Sequence, residues 1–241
     1  AVCSRSRAHG LDAICAETAR RLAEFACTTL GNLAADALRE EAALSPKPGL
    51  VDSRTNGAHT DMDLLLMLRS AETLRPWFCR MVRLGLDGAA PAQLQNAGRQ
   101  AEAEMLQATG GVNTHKGAIF SLGIACASLG MGYGAPLDVH ETLMRCGAMT
   151  GAQMHKELEA AKAGQARTFG ETIYQKAGIG GVRAEAAGGF ASVREIALPR
   201  LEAGLSAGLP LNDAALCALV ALMASTQDTN AVRRGGEDGA A

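Results

Sequence analysis

The chain has 241 residues, enough to bury a substantial core, with 48% hydrophobic but only 3% aromatic residues and a formal net charge of −2. Its 23 basic and 25 acidic residues are spread along the sequence, which excludes a broad nucleic-acid or membrane-binding surface, so an anionic ligand has to be held by local charges. Ala, Leu and Met dominate the apolar fraction and strand formers are scarce, so the expected fold is all-α.

In chain order, Leu11 to Leu44 reads as one or two helices, with apolar residues recurring from Leu22 to Leu44 and no proline between them. The text then breaks at "SPKPGLVD". Pro46 and Pro48 push Ser45 and Lys47 towards extended backbone, so Ser45 to Asp52 is expected to be a stiff loop able to hold side chains in place. In "NGAHTDMDLLLMLRSAETL", Thr60 reads as an N-cap with Asp63 completing a capping box, and the helix that follows runs to about Leu84. A further helix is expected at Ala92 to Thr109. Gly117 to Leu129 is apolar almost all round and reads as a helix buried on most sides.

Beyond it, Pro136 to Thr150, Gln153 to Ala163 and Thr168 to Ala177 read as helices, "GIGGVRAEAAGG" as a glycine-rich link, and Phe190 to Leu205 and Leu211 to Thr226 as the last helices. With no internal repeat and no composition break, residues 1 to 241 read as one multi-helix domain. The 7 cysteines lack metal-site spacing and sit in helical text, the pattern of buried, reduced thiols. No secretory signal or membrane-length apolar run is present in the sequence, so a cytoplasmic location is expected.

Three polar clusters interrupt this apolar text. In Thr109 to Gly123, Gly110 and Gly111 free the backbone to curl, while Asn113, Thr114 and Lys116 can donate to phosphate oxygens just before a helix start, where unpaired N–H groups gather. The glycine spacing is not that of a Walker loop. In the first cluster Glu41, Lys47, Asp52, Arg54, Asn56, His59 and Asp61 can set carboxylates for Mg²⁺ beside cations for phosphate, a combination suited to a metal that keeps few carboxylates and takes substrate phosphates. Glu104, on the small-residue face of Ala97, Ala101 and Ala108, is preferred to Glu102 as the carboxylate aimed at a site. The third cluster holds Asp228, Asn230 and Arg234.

Four segments, "EAALSPKPGLVD" (41–52), "NGAHTDM" (56–62), "ATGGVNTHKGAIFSLG" (108–123) and "DTNAVRRGG" (228–236), together resemble the triphosphoribosyl-dephospho-CoA synthase family of the citrate lyase and malonate decarboxylase systems. The resemblance implies transfer of the 5-triphosphoribosyl group of ATP to the 2′-hydroxyl of 3′-dephospho-CoA with loss of adenine. The product would later be attached to an acyl carrier protein by a separate enzyme. It also implies a general base at His59 or His115, with Glu41 and Asp52 as further catalytic carboxylates. Mg²⁺-triphosphate would lie at Asp61, Glu104 and Asp228, and nucleotide contacts at Lys47, Asn56, Gly110, Gly111, Asn113, Thr114, Lys116, Asn230 and Arg234. Members of that family continue past the last motif, so further C-terminal helices are expected beyond this chain. A homodimer is plausible from the apolar helices. An all-α metal-dependent phosphohydrolase and a non-catalytic nucleotide-binding homologue are the competing readings.

Overall fold

The computed structural model of the chain describes residues 2–160 and 181–225, and these contain eight α-helices and no strand. They are α1 (Val2–Ala43), α2 (Leu64–Leu86), α3 (Pro91–Ala108), α4 (Lys116–Met131), α5 (Val139–Ala160), α6 (Gly181–Ala187), α7 (Leu198–Ser206) and α8 (Leu211–Ser225). The all-α expectation is borne out.

The core forms around α2, whose Ala71, Leu74, Trp77, Phe78, Met81 and Val82 are buried against Leu38 and Ala35 of α1, Ala97, Ala101 and Met105 of α3, and Ile119 and Cys126 of α4. Pro76 sits within α2 on its exposed side. The backbone bond it cannot donate is thus lost where water can replace it, and the helix continues through the proline. A second cluster joins Ile124 of α4, Cys146 of α5, Ala186 of α6 and Phe190, and Val193 ties the following segment to it.

Where α2 crosses α4 the backbones nearly touch. A Cβ on Gly85 would fall on the Ala127 carbonyl oxygen, and one on Gly130 would fall on the Val82 carbonyl oxygen. Neither neighbour is a flexible side-chain tip, so a methyl group can be fitted only by separating the helices. Gly130→Ala is therefore expected to destabilise the fold by about 3 kcal/mol, read as a lower denaturant midpoint with unchanged slope.

Several local expectations are corrected. The cap of α2 is Asp63, whose Oδ1 accepts from Leu66 N–H at 2.8 Å, so Thr60 lies outside the helix start. Asp63 wins because its short carboxylate reaches the N3 amide and matches the positive helix end. Pro136–Thr150 and Gln153–Ala163 merge into the continuous helix α5, capped by Asp138 Oδ1 accepting from Glu141 N–H at 2.7 Å. Residues 161–163 and the helix expected at 168–177 lie outside the described residues. The glycine-rich link contains α6, because "VRAEAA" is good helix text and Ala186 finds a buried site between Ile124 and Cys146.

Phe190, buried at φ 51°, then turns the chain, and Glu185 Oε2 accepts from both N–H (3.2 Å) and Oγ (2.7 Å) of Ser192. Val193–Ala197 winds as a π turn, with Leu198 N–H reaching back to the Val193 carbonyl. Pro199 follows at the start of α7 and can supply no N–H to the Glu195 carbonyl, which favours the wider turn.

The thiols are only partly as expected. Cys27, Cys126 and Cys146 are buried, whereas Cys15 and Cys217 are exposed on the outer sides of α1 and α8. Burial pushes the Cys126 thiol up to about 12, so it is inert as a nucleophile. Among the described residues no helix is long and apolar enough to cross a membrane.

Candidate functional site

The loop between α1 and α2 is organised by one carboxylate. Asp52 Oδ2 accepts from Ser45 Oγ and Lys47 N–H, both at 3.0 Å, and Oδ1 accepts from Arg54 N–H and Thr55 N–H, both at 2.7 Å. The Arg54 and Lys47 amides lead the interactions that hold this carboxyl far below its ordinary range, so it is ionised in the folded protein. The Ser45–Pro46 peptide is cis. From the far end of the sequence Asn212, at the start of α8, brackets Ser45: its Oδ1 accepts from Ser45 N–H at 3.1 Å and its Nδ2 donates to the Ser45 carbonyl at 3.0 Å.

This framework turns Lys47 inward. Its side chain is only 2% exposed, and Nζ donates to the Glu41 carbonyl oxygen (2.6 Å) and to Glu41 Oε1 (2.9 Å), while the Glu41 side chain is 49% exposed. A buried ammonium is thereby anchored at the end of α1, with its third proton in none of these bonds.

The second polar turn packs against the same region. Gly110 (φ 68°) and Gly111 (φ 93°) close α3 in a Schellman motif, in which Gly111 N–H donates to the Leu106 carbonyl at 2.7 Å and Gly110 N–H to that of Gln107 at 3.5 Å. Thr109 Oγ1 lies 2.6 Å from the Val112 carbonyl oxygen. Asn113 Oδ1 accepts from Lys116 N–H at 3.2 Å, and the first backbone bond of α4 runs from Ile119 N–H to the His115 carbonyl at 2.8 Å. The positive end of α4 therefore opens at Lys116. Thr114 Oγ1 donates to Ser70 Oγ on α2 at 2.6 Å, and His115 Nδ1 lies 2.8 Å from the same oxygen.

His115 is 4% exposed, and its Nε2 has no hydrogen-bond partner. Burial lowers its pKa from 6.5 to about 4, with the Glu41 charge opposing this and the Lys47 charge adding to it. Glu41, Lys47, Thr114 and His115 thus share one neighbourhood, although the sequence separates the two pairs widely. The sign of the pH effect follows. The unfolded chain takes up a proton at His115 below about pH 6.5 and the folded chain does not until about pH 4, so stability is complete above 6.5 and falls through this window by up to about 3 kcal/mol. His115→Gln is expected to flatten that part of the stability-against-pH curve, measured by denaturant midpoints between pH 7 and 4.

The remaining expected residues fall in three places. Asp61 Oδ1 lies 3.6 Å from His59 Nδ1, and Asp61 and Asn56 line a shallow depression with Thr60, Met62, Asp63 and Leu66. Leu66 is one helical turn before Ser70, so the depression adjoins the side of α2 that meets His115. Glu104 accepts from Trp77 Nε1 at 2.7 Å, two turns farther along α2, and the carboxylate beside the second polar turn is that of Glu102, 2.6 Å from Lys116 Nζ. Among the described residues no three His, Cys, Asp or Glu side chains converge as a metal site. Asp228, Asn230 and Arg234 lie outside the described residues.

Ser70 and Asn212 had no signal in the sequence: Ser70 is a single polar residue in ordinary helix text, and Asn212 reads as a helix-start residue. Between Glu102 and Glu104 the sequence preference was for Glu104, and the structure reverses it by pairing Glu102 with Lys116.

Comparison with known proteins gives this geometry a context. The family model described as ATP:dephospho-CoA triphosphoribosyl transferase matches residues 27–241. The chain belongs to this family. A probable 2-(5''-triphosphoribosyl)-3'-dephosphocoenzyme-A synthase of Pectobacterium carotovorum is 41% identical over 215 residues, covering 86% of this chain and 71% of the relative. A similarly named protein of Salmonella choleraesuis is 41% identical over 223 residues, covering 89% and 74%. That of Photobacterium profundum is 39% identical over 219 residues, covering 87% and 69%. No solved structure matches the chain significantly. Membership of the triphosphoribosyl transferase family bears out the expected enzyme class and does not favour the phosphohydrolase and non-catalytic readings.

Proposed function

We propose that this triphosphoribosyl transferase joins ATP to the 2′-hydroxyl of 3′-dephospho-CoA and releases adenine. The observation that carries the site is the convergence of the buried Lys47, its partner Glu41 and the buried His115 beneath a loop pinned by Asp52. In the reaction the bond from the ribose C1′ to adenine breaks and a bond from C1′ to the 2′-oxygen forms. The hydroxyl proton passes to a base, and adenine takes up a proton as it leaves.

Positive charge grows on the ribose as adenine departs, and the half-exposed Glu41 carboxylate is suited to face it. The base is His59, half-buried with the Asp61 carboxylate beside its Nδ1. Lys47, Lys116 and the Asn113 amide take substrate phosphates, with Lys116 exchanging Glu102 for a phosphate oxygen, and Asn56, Asn230 and Arg234 complete the nucleotide contacts. Asp52 acts by holding the loop, since all its bonds go to loop groups.

Mg²⁺ would order the triphosphate. Asp61, an exposed carboxylate on a shallow surface it shares with the helix-capping Asp63, fits a cation that retains waters and substrate phosphates, with Asp228 the second expected ligand. Glu104 fits less well, because its carboxylate is engaged by Trp77.

The wider reading places the protein in the cytoplasm, supported by the unpaired state of the described cysteines, with its product passed on for attachment to the acyl carrier protein of citrate lyase or malonate decarboxylase. A homodimer belongs to the same reading and is supported by exposed Ile14, Leu22, Phe25 and Leu33 on the side of α1 opposite its packed face.

Mass spectrometry of the chain incubated with ATP, Mg²⁺ and 3′-dephospho-CoA tests the reaction. Free adenine together with a dephospho-CoA adduct heavier by one triphosphoribosyl group is expected. Phosphate released without adenine would replace the transferase by a hydrolase, and binding without either product would leave a nucleotide-binding homologue.

A further inference from the structure

Ser70 is fully buried on α2 and has no task in the reaction above. Its Oγ meets Thr114 Oγ1 at 2.6 Å and His115 Nδ1 at 2.8 Å, while His115 Nε2, across the same ring, is buried without a partner. With a neutral ring, the three side chains hold two hydroxyl protons and one imidazole proton, which allows two arrangements.

In the first, Thr114 donates to Ser70, Ser70 donates to Nδ1, and the ring proton sits on Nε2. In the second, Nδ1–H donates to Ser70 and Ser70 donates to Thr114, which reverses the bond between the two hydroxyls and turns the half-buried Thr114 hydroxyl to solvent. Either way one ring group at Nε2 is unmet, a proton in the first and a lone pair in the second. The Thr114-to-Ser70 direction decides between them: Ser70, fully buried and accepting from Thr114, has Nδ1 as the acceptor for its own proton, which leaves the ring proton on Nε2.

We propose that Ser70 and Thr114 are positioning residues that hold His115 as its Nε2–H tautomer, so that the ring donates a hydrogen bond to an acceptor atom of a bound nucleotide and is not the general base. The nature of that ligand rests on the transferase reading. Both substrates offer phosphate oxygens and adenine ring nitrogens as acceptors. The charged groups that bear on the ring are Glu41 and Lys47, of opposite sign, and with burial they leave it neutral at physiological pH. A neutral imidazole at a helix N-terminus is a known electrophilic device in enzymes, and His115 occupies the N-cap position of α4. No proton leaves Nε2 in this role; the 2′-hydroxyl proton goes to His59.

Nitrogen-15 NMR of the labelled full chain at pH 7 without nucleotide reads the tautomer directly, with His115→Gln identifying the signals. A bare Nδ1 and a protonated Nε2 are expected; a proton on Nδ1, or an even mixture, overturns the proposal. Ser70→Ala is expected to mix the tautomers and lower kcat at least tenfold with KM for ATP changed less than threefold. An unchanged tautomer and kcat would remove its positioning role. Should that variant not fold, Thr114→Val is expected to mix the tautomers and Thr114→Ser to restore them, and a tautomer unaffected by Thr114→Val counts against the relay.

Mg²⁺-ATP and 3′-dephospho-CoA, added separately, show which substrate supplies the acceptor by moving the Nε2–H resonance. If neither moves it in a sample that turns over, the donor role is wrong and the transferase reading stands. If the tautomer is as stated but no turnover occurs with both substrates, the transferase reading fails while the relay is upheld.

Discussion

Lys47→Met is expected to lower kcat/KM at least 100-fold while leaving the fold in place. The methionine keeps most of the stem volume in a site where the lysine side chain is almost wholly enclosed, so packing changes little. What is lost is an ammonium fixed before any substrate arrives. A fixed charge in a water-poor setting stabilises phosphate more than a mobile surface lysine can, because it needs no reorganisation during the reaction. Glu41, its partner, is half-exposed and can be solvated when left alone, so the variant avoids the large penalty of an orphaned buried charge. Loss of the Lys47 field also lets the His115 pKa rise from its lowered value, which narrows the window below about pH 6.5 in which stability is lost and makes that acid loss smaller. Adenine release with thermal melting as a control checks this, and kinetics within threefold of the parent would remove Lys47 from the site.

Asp52→Asn tests the loop and not the chemistry. The carboxylate accepts from Ser45, Lys47, Arg54 and Thr55, and an amide of the same shape must turn its NH₂ towards two of these donors whichever way it is rotated. The loop then shifts, Lys47 with it, and a displacement of even about 1 Å is enough to cost roughly 100-fold in rate. Hydrogen exchange should show faster exchange at the Lys47, Arg54 and Thr55 amides; full protection with a large rate loss would instead give Asp52 a direct catalytic part. The parent protein carries a pH signature of the same bonds. Because the folded pKa of Asp52 is depressed, its contribution is complete above about pH 4 and declines as pH falls further, a window below that of His115.

The helices were legible because each is a long run of one apolar period or of helix-forming residues, and α4, apolar all round, could only be a buried helix. The two polar turns were legible in their glycines and prolines, which act on their own backbone. What could not be read is which side chains meet. Glu102 and Glu104 differ in sequence by two positions, and only the approach of α2 and of the Lys116 turn gives one to Trp77 and the other to Lys116. Thr114 was read as a ligand donor, yet its hydroxyl meets Ser70, 44 positions away, a pairing set by how α2 packs on α4. The π turn escaped for another reason: its cause, Pro199, lies after it, and helical periodicity does not distinguish the wider turn.

The bracket between Asn212 and Ser45 spans 167 positions, and it sets an order of events when the protein is made. Helices α1 to α4 can collapse around α2 as they leave the ribosome, since their contacts are local in sequence. The loop that orients Lys47 acquires its last clamp only after residue 212 has emerged. A nascent chain therefore has its core well before the loop around Lys47 is clamped, and an aborted product ending within α7 would be folded in its first half yet lack that clamp.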